Sequence, residues 1–149
     1  MIAPDIASPD VTRHILKSFG LRASKRLGQN FLIDASVVKD IVAAAEIAEG
    51  DAVLEIGPDI GTLTQGLAEA GARVTAVELD KKLPAVLAET LGAYDNVRVV
   101  RGDILKTDIR ALMENAPFKV AANLPYYITT PILLALLEQR LPITHIVTM

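Results

Sequence analysis

From Ala52 onward the chain switches repeatedly between two periods of hydrophobic spacing. Ala52-Val53-Leu54-Glu55-Ile56, Arg73-Val74-Thr75-Ala76-Val77, Val97-Arg98-Val99-Val100, Lys119-Val120-Ala121-Ala122 and Thr144-His145-Ile146-Val147-Thr148 are short, rich in Val and Ile, and read as strands. The segments between them, 62–70, 80–91, 107–114 and 130–139, read as helices. Strand and helix in alternation predict βαβ units, hence a parallel sheet covered on both faces, an α/β fold. Ahead of these, Ser8-Pro9-Asp10 predicts a helix N-cap with proline at the first helical position, and Gly20 closes that helix after Phe19. Asp34 is placed to cap a second helix, whose apolar residues Val37, Val38, Ile41, Val42, Ala45 and Ile47 recur at helical spacing until Gly50. There is no internal repeat and no low-complexity linker.

The last predicted strand runs into Met149 with nothing after it to cover the sheet edge. An open edge strand invites pairing with another chain. The expectation is therefore the front part of a longer protein, a sheet truncated after about its fifth strand, and an edge prone to self-association. Two regions are expected: a basic N-terminal segment, 1–33, and a partial catalytic-type domain, 34–149.

Composition narrows this picture without changing it. A hydrophobic content of 51% with 22% charged residues builds a globular core. No apolar stretch approaches the roughly 18 residues of a membrane helix, and the start lacks the basic and apolar regions of a secretory signal. With no cysteine there is no thiolate metal site or disulfide framework, which agrees with a cytoplasmic location. His14 and His145 have no carboxylate or second histidine at ligand spacing, so no metal is assigned. Lys119 and Tyr94 read as surface residues. The net charge of −3 is unevenly spread: Arg13, Lys17, Arg22, Lys25 and Arg26 fall in a stretch, Val11 to Ile33, that has no acidic residue. Such a segment suits contact with phosphates.

Candidate chemistry gathers at the predicted strand ends, where ligands bind in open parallel sheets. After the first strand comes Glu55-Ile56-Gly57-Pro58-Asp59-Ile60-Gly61. Gly57 and Gly61 would let backbone approach a ligand closely, but the spacing is not the dinucleotide Gly-x-Gly-x-x-Gly. It follows instead the acidic-x-Gly-x-Gly-x-Gly pattern of S-adenosylmethionine enzymes, with Asp59 at the middle position. Glu78, at the tip of the second strand, is suited to ribose hydroxyls, and Asp103, after the third, to an adenine amino group. Asp103 also suits a turn or helix cap.

After the fourth strand stands Asn123-Leu124-Pro125-Tyr126. An aromatic exocyclic amine is a poor nucleophile because its lone pair is delocalised into the ring. The Asn123 side-chain oxygen and the Leu124 or Pro125 carbonyl could accept its two hydrogens, favouring a more tetrahedral nitrogen and stabilising the transition state above the ground state. Pro125 stiffens the turn, and Tyr126 offers a ring on which an extruded base can stack. No strong general base is required, and orientation would carry most of the rate.

Lys25-Arg26-Leu27-Gly28-Gln29-Asn30-Phe31-Leu32, Glu55-Ile56-Gly57-Pro58, Val77-Glu78-Leu79-Asp80, Gly102-Asp103 and Asn123-Leu124-Pro125-Tyr126-Tyr127-Ile128-Thr129-Thr130-Pro131 resemble, in order, the motifs of the KsgA-type ribosomal RNA small-subunit adenine N6,N6-dimethyltransferases. The resemblance covers roughly residues 13–149, and Leu124 with Thr129-Thr130-Pro131 looks more like this branch than the related Erm type. It implies a Rossmann-like class I methyltransferase sheet, S-adenosylmethionine as cofactor, and methylation of two adjacent adenosines near the 3′ end of 16S ribosomal RNA within a pre-30S particle. It implies that Asn30, Leu32, Gly57, Glu78, Asp103 and Asn123 contact the cofactor, and that Asn123, Leu124, Pro125 and Tyr126 hold the target base. Asp59 and Gly61 complete the expected cofactor turn, and the five basic residues the expected RNA contact. Two departures bear on activity: Asp59 stands where family members carry glycine, and the implied further strands and helical C-terminal domain are absent from these 149 residues. A noncatalytic RNA-binding or ribosome-assembly module, or a nicotinamide-dependent oxidoreductase, are the alternatives. The oxidoreductase does not predict Asn123 to Tyr126.

Overall fold

A computed structural model describes residues 4–22 and 31–149, and the backbone only of Tyr126. Helix α1 (Pro9–Ser18) and α2 (Ala35–Ala44) precede β1 (Ala52–Ile56), α3 (Thr62–Glu69), β2 (Arg73–Glu78), α4 (Leu83–Thr90), β3 (Val97–Arg101), α5 (Ile109–Leu112), β4 (Phe118–Ala122), α6 (Tyr126–Glu138) and β5 (Ile143–Thr148). The five strands form one parallel sheet in the order β3-β2-β1-β4-β5. Successive strands step outward from β1 to β3 and then jump back across it to β4. That reversal opens a crevice beyond the carboxyl ends of β1 and β4.

Strand alternation divides the core into two layers. Leu54, Ile56, Val77, Val120 and Ala122 pack with Ile109, Ile132 and Leu136 of α5 and α6, whereas Val53, Val74, Ala76 and Ala121 pack with Val38, Ile41, Leu63 and Leu67 of α2 and α3. A third cluster joins Ile6, Ile15 and Phe31 to Ile60, Leu83, Val86, Leu87 and Leu91, so the N-terminal helix shares the sheet domain's interior. Gln65 reinforces this join: its Oε1 accepts from Ile6 N at 2.8 Å, and its Nε2 donates to Pro4 O at 2.7 Å.

The elements match the sequence pattern with physical exceptions. Asp34 caps α2 by accepting from Ser36 N, but Ser8 makes no side-chain cap at α1. Helix α2 stops at Ala44, short of Ile47, because Glu46 turns left-handed at φ 52°; Ile47 packs against the same layer from outside the helix. Helix α6 begins at Tyr126 rather than near Thr130, with Pro131 in its interior. The hydrogen bond that proline forfeits is offset by burial of Ile132 and Leu136 on the sheet. Only Ile109–Leu112 of the expected helix 107–114 is α-helical, after a 3₁₀ turn at Ile104–Lys106.

Lys119 and Tyr94 are half-buried and held by partners, not free surface residues. The Lys119 ammonium lies 2.9 Å from the Asp51 carboxylate and donates to Glu46 O at 2.6 Å, and this contact holds the Asp51 carboxyl below its usual range. The Tyr94 hydroxyl donates to Glu69 at 2.6 Å and accepts from Gln65 Nε2 at 3.0 Å, while its ring packs on the third cluster. His145 pairs with Glu46 at 2.8 Å across the sheet, a partner 99 positions away that sequence spacing does not reveal.

Glu55 is the polar exception within β1. It shares its face with Val53, is 1% exposed, and its Oε1 accepts from the Thr64 hydroxyl of α3. Burial pushes its carboxyl up to about 8, against a lowering from the Thr64 bond and further raising by Asp59 and Glu78. The folded chain therefore keeps a proton that the unfolded chain loses above about 4.5. The stabilisation is complete below that value and is lost as pH rises through about 8. Denaturation curves across this window should show the native chain losing stability by up to about 1.4 kcal/mol per pH unit relative to Glu55→Gln. Parallel curves for the two proteins would show Glu55 to be ionised in the fold.

Candidate cofactor and base site

The crevice at the strand reversal holds a cavity of about 230 Å³. Each strand end supplies part of its wall: Ile56, Gly57 and Asp59 from β1 and its turn, Val77, Glu78 and Leu79 from β2, Gly102 to Leu105 after β3, and Asn123 and Leu124 after β4. Ile128 and Ile132 of α6 close the apolar side.

The turn after β1 is built on left-handed backbone, with φ 71° at Gly57, 53° at Asp59 and 98° at Gly61. At Gly57 it is the φ of 71° that favours glycine, since a Cβ there would make only an ordinary contact, 3.4 Å, with the Leu124 side chain of the loop after β4. Asp59 is the non-glycine exception in the turn. An L-residue in this region costs about 1–2 kcal/mol, less for Asp than for most residues.

Glu78 is 3% exposed, and each of its oxygens accepts a backbone hydrogen bond: Oε1 from Asp59 N and Oε2 from Asp80 N, both at 2.9 Å. Burial raises its pKa, and these backbone donors oppose that rise. Because each carboxylate oxygen has two lone pairs, acceptor capacity remains for a ribose diol. Asp103 combines both sequence readings. Its Oδ1 caps the 3₁₀ turn by accepting from Leu105 N at 2.9 Å, and the residue also lines the cavity. The Asn123 side chain is half-buried and has no hydrogen-bond partner among the described residues.

The loop after β4 is held from both sides. Met149 N donates to Ala122 O and Leu124 N donates to Met149 O, each at 3.2 Å, which extends the β4–β5 ladder past Asn123. Pro125 is the N-cap of α6, and its carbonyl accepts from Ile128 N and Thr129 N at 3.2 Å and from the Thr129 hydroxyl at 2.9 Å. Three donors saturate that oxygen, so of the two carbonyls the sequence offered, Leu124 O is the one available to an incoming amine.

Gly57, Asp59, Glu78, Asp103, Asn123 and Leu124 thus meet at one cavity. Two expected cofactor residues do not line it. Gly61 caps α3, and a Cβ there would come within 3.1 Å of Leu91, so it serves helix packing. Leu32 is 60% exposed and borders a separate groove beside Ser8 and Asp34, because Phe31 takes the buried position next to it. Asn30, Lys25 and Arg26 lie outside the described residues, as does the Tyr126 side chain. Leu79 and Leu105 were not foreseen. They are 49% and 54% exposed at the cavity, and their sequence signal is an apolar residue one position after Glu78 and two positions after Asp103.

The acidic strand tips and apolar walls fit a nucleoside-bearing ligand: a carboxylate where a diol would lie and Leu79, Ile104 and Leu105 to flank a base. Residues 20–149 match the family model described as ribosomal RNA adenine dimethylase. The chain is 51% identical over 151 residues to ribosomal RNA small subunit methyltransferase A of Ligilactobacillus salivarius, covering 98% of this chain and 51% of that protein. The protein of the same name from Alkaliphilus oremlandii is 47% identical over 148 residues, covering 97% and 52%. The chain spans about half the length of the curated relatives it matches. Among solved structures, the 23S rRNA methyltransferase ErmE superposes with a TM-score of 0.68 at 36% identity, covering 80% of this chain and 48% of that one. An RNA methyltransferase from Salinibacter ruber, in complex with S-adenosyl-L-homocysteine, shares the fold with a TM-score of 0.64 at 22% identity over 78% of this chain and 75% of that one. The fold is that of the class I S-adenosylmethionine methyltransferases, and the chain belongs to the ribosomal RNA adenine dimethylase family.

Proposed function

We propose that this chain carries the cofactor and target-base sites of an enzyme that methylates N6 of two adjacent adenosines near the 3′ end of small-subunit ribosomal RNA, acting on a pre-30S particle in the cytoplasm. The observation that carries this reading is the convergence of Glu78, Asp103, Asn123 and Leu124 on one cavity at the strand reversal. S-adenosylmethionine supplies an electrophilic methyl group on a sulfonium sulfur. Glu78 would hold its ribose, Asp103 would accept from its adenine amine, and the leucines beside them would exclude water from the ring faces. The Asn123 amide oxygen and the Leu124 carbonyl accept the two hydrogens of the target amine and orient its nitrogen lone pair toward the methyl group. Transfer would break the sulfonium S–CH3 bond, release the neutral thioether and form the N6–CH3 bond, and the methylated amine, now positively charged, would give its proton to water without a dedicated base.

Arg13, Lys17 and Arg22 are exposed on and after α1, Arg13 in a surface pair with Asp10. With Lys25 and Arg26 they form the RNA contact of this reading, so binding should weaken steeply with salt. The residue that favours a noncatalytic RNA-binding role is Asp59, which lines the cavity and whose negative charge would repel the cofactor's own carboxylate.

A calorimetric titration of S-adenosylmethionine, paired with methyl transfer from labelled donor to small-subunit RNA, tests both points. The native chain is expected to bind the donor and transfer methyl groups to N6 of adenine, and Asp59→Gly to bind it several-fold more tightly. Donor binding without transfer would favour the noncatalytic module, and an Asp59→Gly form that binds no more tightly would overturn the role given to Asp59.

Strand β5 forms one edge of the sheet, and the neighbouring α6 exposes Tyr127, Leu134 and Leu137 at 62%, 53% and 65%. This apolar rim supports self-association of the 149-residue chain. Sedimentation should show a concentration-dependent rise in mass, and a monomer that persists at high concentration would contradict it.

A further inference from the structure

The Thr129 hydroxyl belongs to α6, yet it reaches back to two successive carbonyls of the base-accepting loop, Pro125 O at 2.9 Å and Leu124 O at 3.5 Å. A hydroxyl has one proton, so the shorter contact is the hydrogen bond and the longer one a near approach. Pro125 O needs no help from a side chain to start the helix, since Ile128 N and Thr129 N already donate to it. What the hydroxyl adds is a fixed relation between the two carbonyls, because a single atom within reach of both restricts rotation of the Leu124–Pro125 link. Leu124 N is anchored independently by Met149 O. Leu124 is thus held through its N–H by Met149 O, and its carbonyl lies against a hydroxyl that is itself fixed by its bond to Pro125 O. Neither restraint uses up the acceptor capacity of Leu124 O, which has the 3.5 Å approach as its one polar neighbour among the described residues.

We infer that Thr129 is a positioning residue for the target adenine: its hydroxyl sets the Leu124 carbonyl in the direction from which it accepts the N6 amine. This rests on the proposed function. A threonine that bonds the carbonyl four residues earlier is otherwise an ordinary feature of a helix's first turn, with no effect on chemistry. The two roles separate experimentally, because the positioning role acts on the methyl-transfer step and not on the cofactor.

Thr129→Val keeps the branched shape and removes the hydroxyl, and Thr129→Ser keeps the hydroxyl. Single-turnover methyl transfer at saturating donor and RNA should fall roughly tenfold in Thr129→Val, the loss expected of one ordinary hydrogen bond, and stay within about twofold of native in Thr129→Ser. The Kd for S-adenosylmethionine should be unchanged in both. A native rate in Thr129→Val, an equal loss in Thr129→Ser, or a donor Kd that weakens with the rate would overturn the inference. A native chain that transfers no methyl group would count against the proposed function. The positioning claim would then be decided by the ¹³C resonance of the Leu124 carbonyl, expected to move in Thr129→Val but not in Thr129→Ser, and overturned if the three spectra coincide.

Discussion

The site depends on one carboxylate. Glu78 ends β2 almost wholly buried, and its two oxygens accept from Asp59 N in the turn after β1 and from Asp80 N in the turn after its own strand. A buried carboxylate is costly unless hydrogen-bonded, so the group and the two turns stabilise one another. Without it the left-handed turn would lose its side-chain tie to β2 at Asp59, leaving the backbone bond from Gly57 N to Val77 O. The strand order makes this possible. Only where the chain reverses between β1 and β4 do two neighbouring strands send their connections to opposite sides and leave a crevice that Glu78 can border.

The base-accepting loop depends on a second set of restraints from the other half of the sheet. The β4–β5 ladder continues through Ala122 and Met149 to Leu124, while α6 holds the Pro125 carbonyl from the helix side. Cofactor turn and base loop meet where Gly57 faces Leu124. The donor site and the acceptor site are thus adjacent because β1 and β4 are hydrogen-bonded neighbours, not because the sequence places them near each other.

Much of this was legible before the structure. Short runs rich in Val and Ile locate all five strands, most fully for β1, β2 and β4, which are covered on both faces. Acids at the strand tips and the amide after β4 followed from where such sheets bind ligands. Helix α6 was read as starting late because Asn-Leu-Pro and Pro131 both signal a break; tertiary burial of Ile132 and Leu136 overrides the second signal. The partners of Lys119, Tyr94 and His145, namely Asp51, Gln65 and Glu46, are brought to them by packing across sequence separations that no local pattern encodes, which is why Lys119 and Tyr94 read as plain surface residues. Motif position places Gly61 at the ligand, while in the fold its φ of 98° and the Leu91 side chain, 3.1 Å from where a Cβ would stand, both favour glycine there. Thr129 stands out in the sequence only as part of the Thr129-Thr130-Pro131 motif, and its approach to Leu124 O is visible only in the fold.

The central claim is that the Glu78 carboxylate both builds the cofactor turn and binds the cofactor, and Glu78→Gln tests it most directly. Glutamine keeps one acceptor oxygen and replaces the other with a donor, so the variant can satisfy one turn but not both and meets the ribose with a single acceptor. Calorimetry should find S-adenosylmethionine bound at least about tenfold more weakly by a protein that still shows the native circular dichroism. Native affinity in Glu78→Gln would contradict the account.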